Sequence, residues 1–132
     1  PKLFEGMEQR RQRAGHVFSK ARFVAAQFEG YFADGGWLKR AGHANGMAER
    51  LRAGLRKSNR ARLAWESDIN EVFAVVPVEV LAAVRAAGGM MHEWPAETAR
   101  EDRRPGDGEV MVRMVTSWAT GEAEVEGFLG LL

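Results

Sequence analysis

An arginine stands where a strand pattern would otherwise be apolar on both faces. The run Val110-Met111-Val112-Arg113-Met114-Val115-Thr116-Ser117-Trp118 alternates as a strand does. Val110, Val112 and Met114 share one side, and Met111, Arg113 and Val115 share the other. A guanidinium left unpaired among such neighbours costs roughly several kcal/mol, so it must meet water or an anion. Its planar fork of donors suits a carboxylate. That carboxylate is either an Asp or Glu of the chain or part of a ligand, and the pattern alone leaves both open.

A second cluster lies near the start of the chain. Arg10, Arg11, Arg13, Lys20 and Arg22, with Ser19 among them, surround the beginning of an apolar segment. Backbone N–H groups at a helix start can also hold an anion. A phosphate or carboxylate contact is one reading; a solvated basic face or a salt-bridge layer against another subunit is the other. Little else in the chain has the spacing of a reactive centre. Gly35-Gly36 and Gly88-Gly89 lack the pattern of a phosphate-binding loop, and no Gly-x-Ser-x-Gly elbow is present. His16, His43 and His92 are too far apart in sequence to form a metal-ligand motif. Neither catalytic side chains nor metal ligands are assigned from these residues.

Composition narrows the classes. The chain has 132 residues, 45% of them hydrophobic and 28% charged, which suits one domain or a small domain with an appendage. Cysteine is absent, which excludes disulfides, thiol catalysis and cysteine-held metals. No apolar stretch is long enough to span a bilayer, and the polar start does not read as a signal peptide. A cytoplasmic protein that does not engage membranes is expected. The first residue is proline, the expected mark of a processed or excised chain.

Net charge is only +1, yet the charges are segregated. Residues 1–62 hold 14 Lys/Arg against 5 Asp/Glu (+9), and residues 63–132 hold 5 against 13 (−8). A basic half can meet nucleic acid, but no interleaved aromatic pattern or nucleic-acid motif accompanies it, so no nucleic-acid partner is expected. The simpler reading is that the two halves attract each other, or that the basic surface faces an acidic partner.

The elements that must position these residues can be read from periodicity. A charged helix is expected over 3–15, broken by Gly15. Residues 17–33 are apolar almost all round, as in a helix buried on most sides, here by a further domain or another subunit. Asp34-Gly35-Gly36 breaks the chain. Trp37, Ala41, Ala44, Ala48, Leu51 and Leu55 then form a helical stripe about five turns long. Strands are expected at 62–65, 71–76, 90–94 and along the Arg113 run. Val80, Leu81 and Val84 face a helix that starts after Pro77 and ends at Gly88-Gly89. Residues 96–108 read as an exposed loop. Thr120 is expected to cap a last helix with Val125, Phe128, Leu129 and Leu132 on its apolar face. The fold class is α/β in the α+β sense: N-terminal helices, then an α/β sandwich with a small, mainly antiparallel sheet and helices on one face.

Several stretches, in order and in register, resemble the C-terminal third of the low-specificity L-threonine aldolases. They are Arg10-Arg11-Gln12-Arg13-Ala14-Gly15, Phe18 through Gln27, Trp37-Leu38 with His43-Ala44-Asn45, Asn70-Glu71-Val72-Phe73, Glu93-Trp94-Pro95 and Val112 through Thr120. The resemblance implies a pyridoxal 5'-phosphate-dependent aldehyde-lyase of the aspartate-aminotransferase type (fold type I). Such a lyase splits a β-hydroxy-α-amino acid into glycine and an aldehyde. It implies that 1–35 is the end of the large domain and the bridge out of it, and that 36–132 is the small C-terminal domain. Arg113 matches the arginine that meets the substrate α-carboxylate. Ser19 and Lys20 fall in a loop that would bear on the cofactor, although members of the family carry Met-Arg-Gln where this chain has Phe18-Ser19-Lys20. The lysine that holds the cofactor covalently is expected upstream of these residues. The isolated chain is therefore expected to be inactive and to bind no cofactor alone, while the full-length enzyme would be a homo-oligomer. The rival reading is a non-catalytic interaction or dimerisation module built on the apolar helix.

Overall fold

A computed structural model describes residues 4–132. The chain divides into two compact units, Pro1–Trp37 and Leu38–Leu132. The expected first helix begins at residue 3, outside the described residues; its described part is α1, Met7–Arg13. Gly15 follows at φ 71°, a left-handed conformation that glycine adopts without strain and that ends the helix. The apolar segment forms α2, Ala21–Phe32, which starts four residues later than its composition suggests. Asp34 and Gly35 both have positive φ, 54° and 64°, and form the expected break.

No residue of α2 is buried in this chain. Phe23, Val24, Phe28, Tyr31 and Phe32 are all exposed, as are Val17 and Phe18 before it. Among the described residues, ring-to-ring contacts gather near the end of the helix: Tyr31 meets Phe32 edge-on at 5.2 Å between centroids, and Phe32 meets Trp37 at 5.8 Å. The burial that an all-round apolar helix demands is not supplied by its own unit.

Helix α3, Gly36–Lys57, is the expected long stripe, and from Leu38 on it belongs to the second unit. Ala44, Ala48, Leu51 and Leu55 are buried along it. Strand β1 (Arg62–Leu63) and strand β2 (Glu71–Pro77) follow, then α4, Val78–Ala86. Gly88 at φ 84° lets the Gly89 N–H bond back to the Val84 carbonyl, which closes this helix as its glycine pair suggests. The strand expected at 90–94 shrinks to β3, His92–Glu93; Trp94 adds one further backbone bond to Met111. Strand β4 is Glu109–Val115 and helix α5 is Glu122–Leu129.

The sheet runs β1-β2-β4-β3 and every pairing is antiparallel. Its alternation sorts the side chains cleanly. Val72, Ala74, Val76, Val112 and Met114 join Leu51, Leu55, Val80, Leu81 and Val125 of the helices in one core. Phe73, Val75 and Met111 point the other way and pack with Ala64, Ala99, Trp65 and Trp94. The helices thus lie on one face, as expected, and aromatic rings and loop residues cover the other.

Two expectations need correction. Thr120 does not cap α5: its hydroxyl accepts the Ser117 N–H at 2.9 Å. Gly121 stands at the cap, and its own N–H is bound by the Glu124 carboxylate at 2.7 Å. A glycine brings no side chain, so only this half of a reciprocal cap exists. The 96–108 stretch is also more structured than its polarity suggests. It contains two 3₁₀ turns, at Ala96–Thr98 and Glu101–Arg103, and it buries Ala99. It is tied to β1 by Arg62, which reaches the Arg104 carbonyl at 2.9 Å and the Glu109 carboxylate at 2.8 Å.

Part of the charge segregation is used inside this unit. Arg50 pairs with Glu122, Arg56 with Glu66, Arg60 with Glu79 and Arg62 with Glu109. For Arg50, Arg56, Arg60 and Arg62, attraction between the two halves is what the positive charge serves.

Candidate functional site

Arg113 lies in the middle of β4, on the sheet face away from the helices. Its direct neighbours across the sheet are Phe73 of β2 and His92 of β3, and directly opposed residues share a face. The face is organised as a row of rings. Trp65 stacks on Phe73 at 4.4 Å between centroids, and Phe73 meets Trp94 at 5.4 Å. The Arg113 guanidinium carbon sits 4.8 Å from the Trp94 ring centre, a cation–π distance.

The internal carboxylate left open by the sequence is Glu71. It stands diagonally from Arg113, because Glu71 is in register with Val115. The contact is a single one: Nη1 to Oε1 at 3.5 Å. Charge-assisted pairs close to about 2.7–2.9 Å when they are well made, so this one is stretched. Both side chains remain about one-third exposed, 30% and 32%. The Arg113 Nε is buried and has no hydrogen-bond partner among the described residues. An unmade bond of this kind costs about 1–3 kcal/mol. The guanidinium is therefore held by a ring and by one loose contact, with part of its donor fork unused.

Below Arg113 the strand leads into a fixed corner. The buried Thr116 hydroxyl donates to the Ala44 carbonyl of α3 at 2.7 Å. Asn70 Nδ2 donates to the Thr116 carbonyl at 2.8 Å, and the Thr116 N–H bonds the Asn70 carbonyl. His43 Nε2 lies 2.8 Å from the Thr120 carbonyl. These bonds fix the end of β4 against β2 and α3, so the position of Arg113 is set by backbone rather than by a mobile loop.

Glu71 and Trp94 were not singled out as neighbours of Arg113 by sequence. The signal was present but non-local: pairing Phe73 with Arg113 places Glu71 beside it, and pairing His92 with Arg113 brings Trp94 to the same face. Ser19 and Lys20 belong to the first unit, in an exposed turn that leads into α2. That helix has no acidic residue in its first turn and no side-chain cap, so its leading N–H groups suit an anion. Among the described residues no group of three His, Cys, Asp or Glu side chains could hold a metal ion, and no helix is long and apolar enough to cross a membrane.

An antiparallel four-stranded sheet with helices on one face, and with Arg113 among aromatic rings on the other, makes this unit a small α/β sandwich domain. Comparison with known proteins places it further. The chain is 31% identical over 124 residues to a low specificity L-threonine aldolase of a Pseudomonas species, which takes in 94% of this chain and 32% of that protein. A low specificity L-threonine aldolase of Pseudomonas aeruginosa is 32% identical over 95 residues, covering 72% of this chain and 28% of its own length. The solved threonine aldolase of Leishmania major superposes with a TM-score of 0.66 at 30% identity, over 80% of this chain and 28% of that one. A Sphingomonas wittichii serine palmitoyltransferase shares the fold at 21% identity and a TM-score of 0.50, over 68% of this chain and 22% of its own. No family model matches. The chain is homologous to the low-specificity L-threonine aldolases over nearly its whole length and spans about a third of theirs. The fold expected from the resemblance is the one found.

Proposed function

We propose that this chain is the C-terminal segment of a pyridoxal 5'-phosphate-dependent aldehyde-lyase that cleaves β-hydroxy-α-amino acids to glycine and an aldehyde, with Arg113 binding the substrate α-carboxylate. The observation that carries the arginine assignment is its incomplete internal pairing. Nε is buried without a partner, and Nη1 has only a stretched contact to Glu71. A guanidinium needed only for stability would close its ion pair, and the diagonal placement of Glu71 is near enough for that. A turn of the side chain would present two parallel donors to a carboxylate, the geometry in which arginine outperforms lysine.

When bound, the cofactor supplies an electron sink for the carbon whose bond is cleaved. Within this chain, Ser19, Lys20 and the first N–H groups of α2 would touch its phosphate. Arg113 orients the substrate, and the Thr116 corner keeps that arginine in place. We take the full-length enzyme to be a cytoplasmic homo-oligomer that acts on small amino acids. Residues 1–35 would belong to the end of its large domain and 36–132 to its small domain. The exposed apolar surface of α2 would then be covered by large-domain and neighbouring-subunit surfaces. That same exposure is the observation that favours the second reading, a non-catalytic interaction module.

The test is kinetic. In the full-length enzyme, Arg113→Ala should lower kcat/KM for threonine at least about tenfold, mainly through KM, because a bidentate charged contact is worth a few kcal/mol. Arg113→Lys should recover only part of the loss. An unchanged KM in Arg113→Ala would remove Arg113 from the site.

A further inference from the structure

We propose that Glu71 sets the charge that the Arg113 site accepts: a ligand with one carboxylate and no second negative group. The inference rests on the reading of Arg113 as a carboxylate site and deepens it to a substrate class.

Three observations carry it. Glu71 Oε1 is 3.5 Å from Arg113 Nη1, so a carboxylate of the chain borders the place where an anion would sit. Glu71 engages only Nη1, while Nε is buried and has no partner; once the side chain turns, the donors left for a ligand are enough for one carboxylate. The direct neighbours of Arg113 on the sheet bring no second arginine or lysine. Trp94 lies over the guanidinium, Phe73 is directly opposite on β2, and the exposed Val115 is the next residue along this face of β4. His92, opposite on β3, is exposed. A first carboxylate meets the arginine. A second one on the same molecule would meet Glu71 and apolar groups, and like charges a few ångströms apart repel even under surface screening. Specificity then comes from a repulsive element as much as from the attractive one. Amino acids with uncharged side chains fit this arrangement, and dicarboxylic amino acids do not. Trp94 supports the same end, because its ring holds the guanidinium in place without drawing on the charge that Glu71 already partly balances.

The experiment uses the full chain and two simple probes, acetate and malonate, at constant pH and ionic strength. The readout is the ¹⁵N–¹H signal of the Arg113 Nε, identified by its loss in Arg113→Lys. In the unaltered protein, acetate should shift this signal and malonate should bind no tighter than acetate. In Glu71→Gln, acetate should bind about threefold tighter or more, as expected for removal of a neighbouring negative charge, and malonate should overtake it. Glu71→Ser carries the same comparison should Glu71→Gln fail to fold. Malonate already tighter in the unaltered protein, or acetate affinity unchanged or weakened by Glu71→Gln, overturns the role of Glu71 and leaves Arg113 as an anion site. A signal that neither anion moves, in either protein, overturns both the role of Glu71 and the reading of Arg113.

Discussion

Two arginines of this chain sit among apolar neighbours, and their surroundings differ in kind. Arg52 on α3 is only 2% exposed. Its Nε donates to Glu49 at 2.9 Å, and its Nη1 donates to the Ser67 hydroxyl at 3.2 Å and the Ile69 carbonyl at 3.0 Å. That is a structural arginine, whose charge and donors are met by the protein. Arg113 is more exposed and yet less well paired, which is the signature of a side chain kept ready rather than used up. Arg52→Ala should therefore cost about 2–4 kcal/mol in urea unfolding, since it empties a buried site and strips the Ile69 carbonyl of its partner. Arg113→Ala should cost less than half as much. Equal losses would place Arg113 in the same structural class as Arg52. Neither distinction is legible in the sequence, where Arg52 is one cation among many on a charged helix and Arg113 is the conspicuous one.

At the scale of elements, the tie between β1 and the 96–108 segment is electrostatic and should respond to acid. The Arg62 guanidinium, helped by the Gly106 N–H, holds the Glu109 carboxyl down at about 2. A folded-state value below the unfolded one stabilises the fold above about pH 4.3 and loses that contribution as pH falls toward the folded value. Thermal unfolding should thus drop between about pH 4.5 and 2, and Glu109→Gln should flatten that drop while lowering Tm at pH 7. An identical acid profile in Glu109→Gln would show that the tie does not matter. Glu49 and Glu66, both lowered by Arg56 first, add smaller losses of the same sign. Elements with a strong period were legible: α3, β2, α4 and β4 lie where their apolar spacing puts them. The misses are where local signals competed. Met90–Trp94 has strand composition, but only two of its residues find a ladder against β4. Thr120 is a good cap residue, but Glu124 captures the Gly121 N–H and moves the helix start by one position. The 96–108 stretch is polar, but Arg62 and the buried Ala99 order it through contacts that no local pattern announces. The candidate site was half legible for the same reason: Arg113 breaks a local pattern, whereas Glu71 and Trp94 join it only through register.

For the whole molecule, apolar residues divide into those the chain uses and those it leaves outside. Leu55 is 1% exposed in the helix-side core, and Phe28 is 58% exposed on α2. Leu55→Ala should destabilise the chain by about 2–5 kcal/mol, while Phe28→Ala should stay within about 0.5 kcal/mol. A large loss from Phe28→Ala in chemical unfolding would mean that α2 is covered in solution. The sheet adds a constraint of a different sort. Its two outer strands, β1 and β3, are only two residues long, while the long strands β2 and β4 lie inside. Short borders offer few free backbone donors and acceptors to a further strand. The sheet is thus poor material for growth by strand addition, and its rim resists the templating that leads to fibres. Association of this domain is left to side chains, which a sequence can tune one residue at a time.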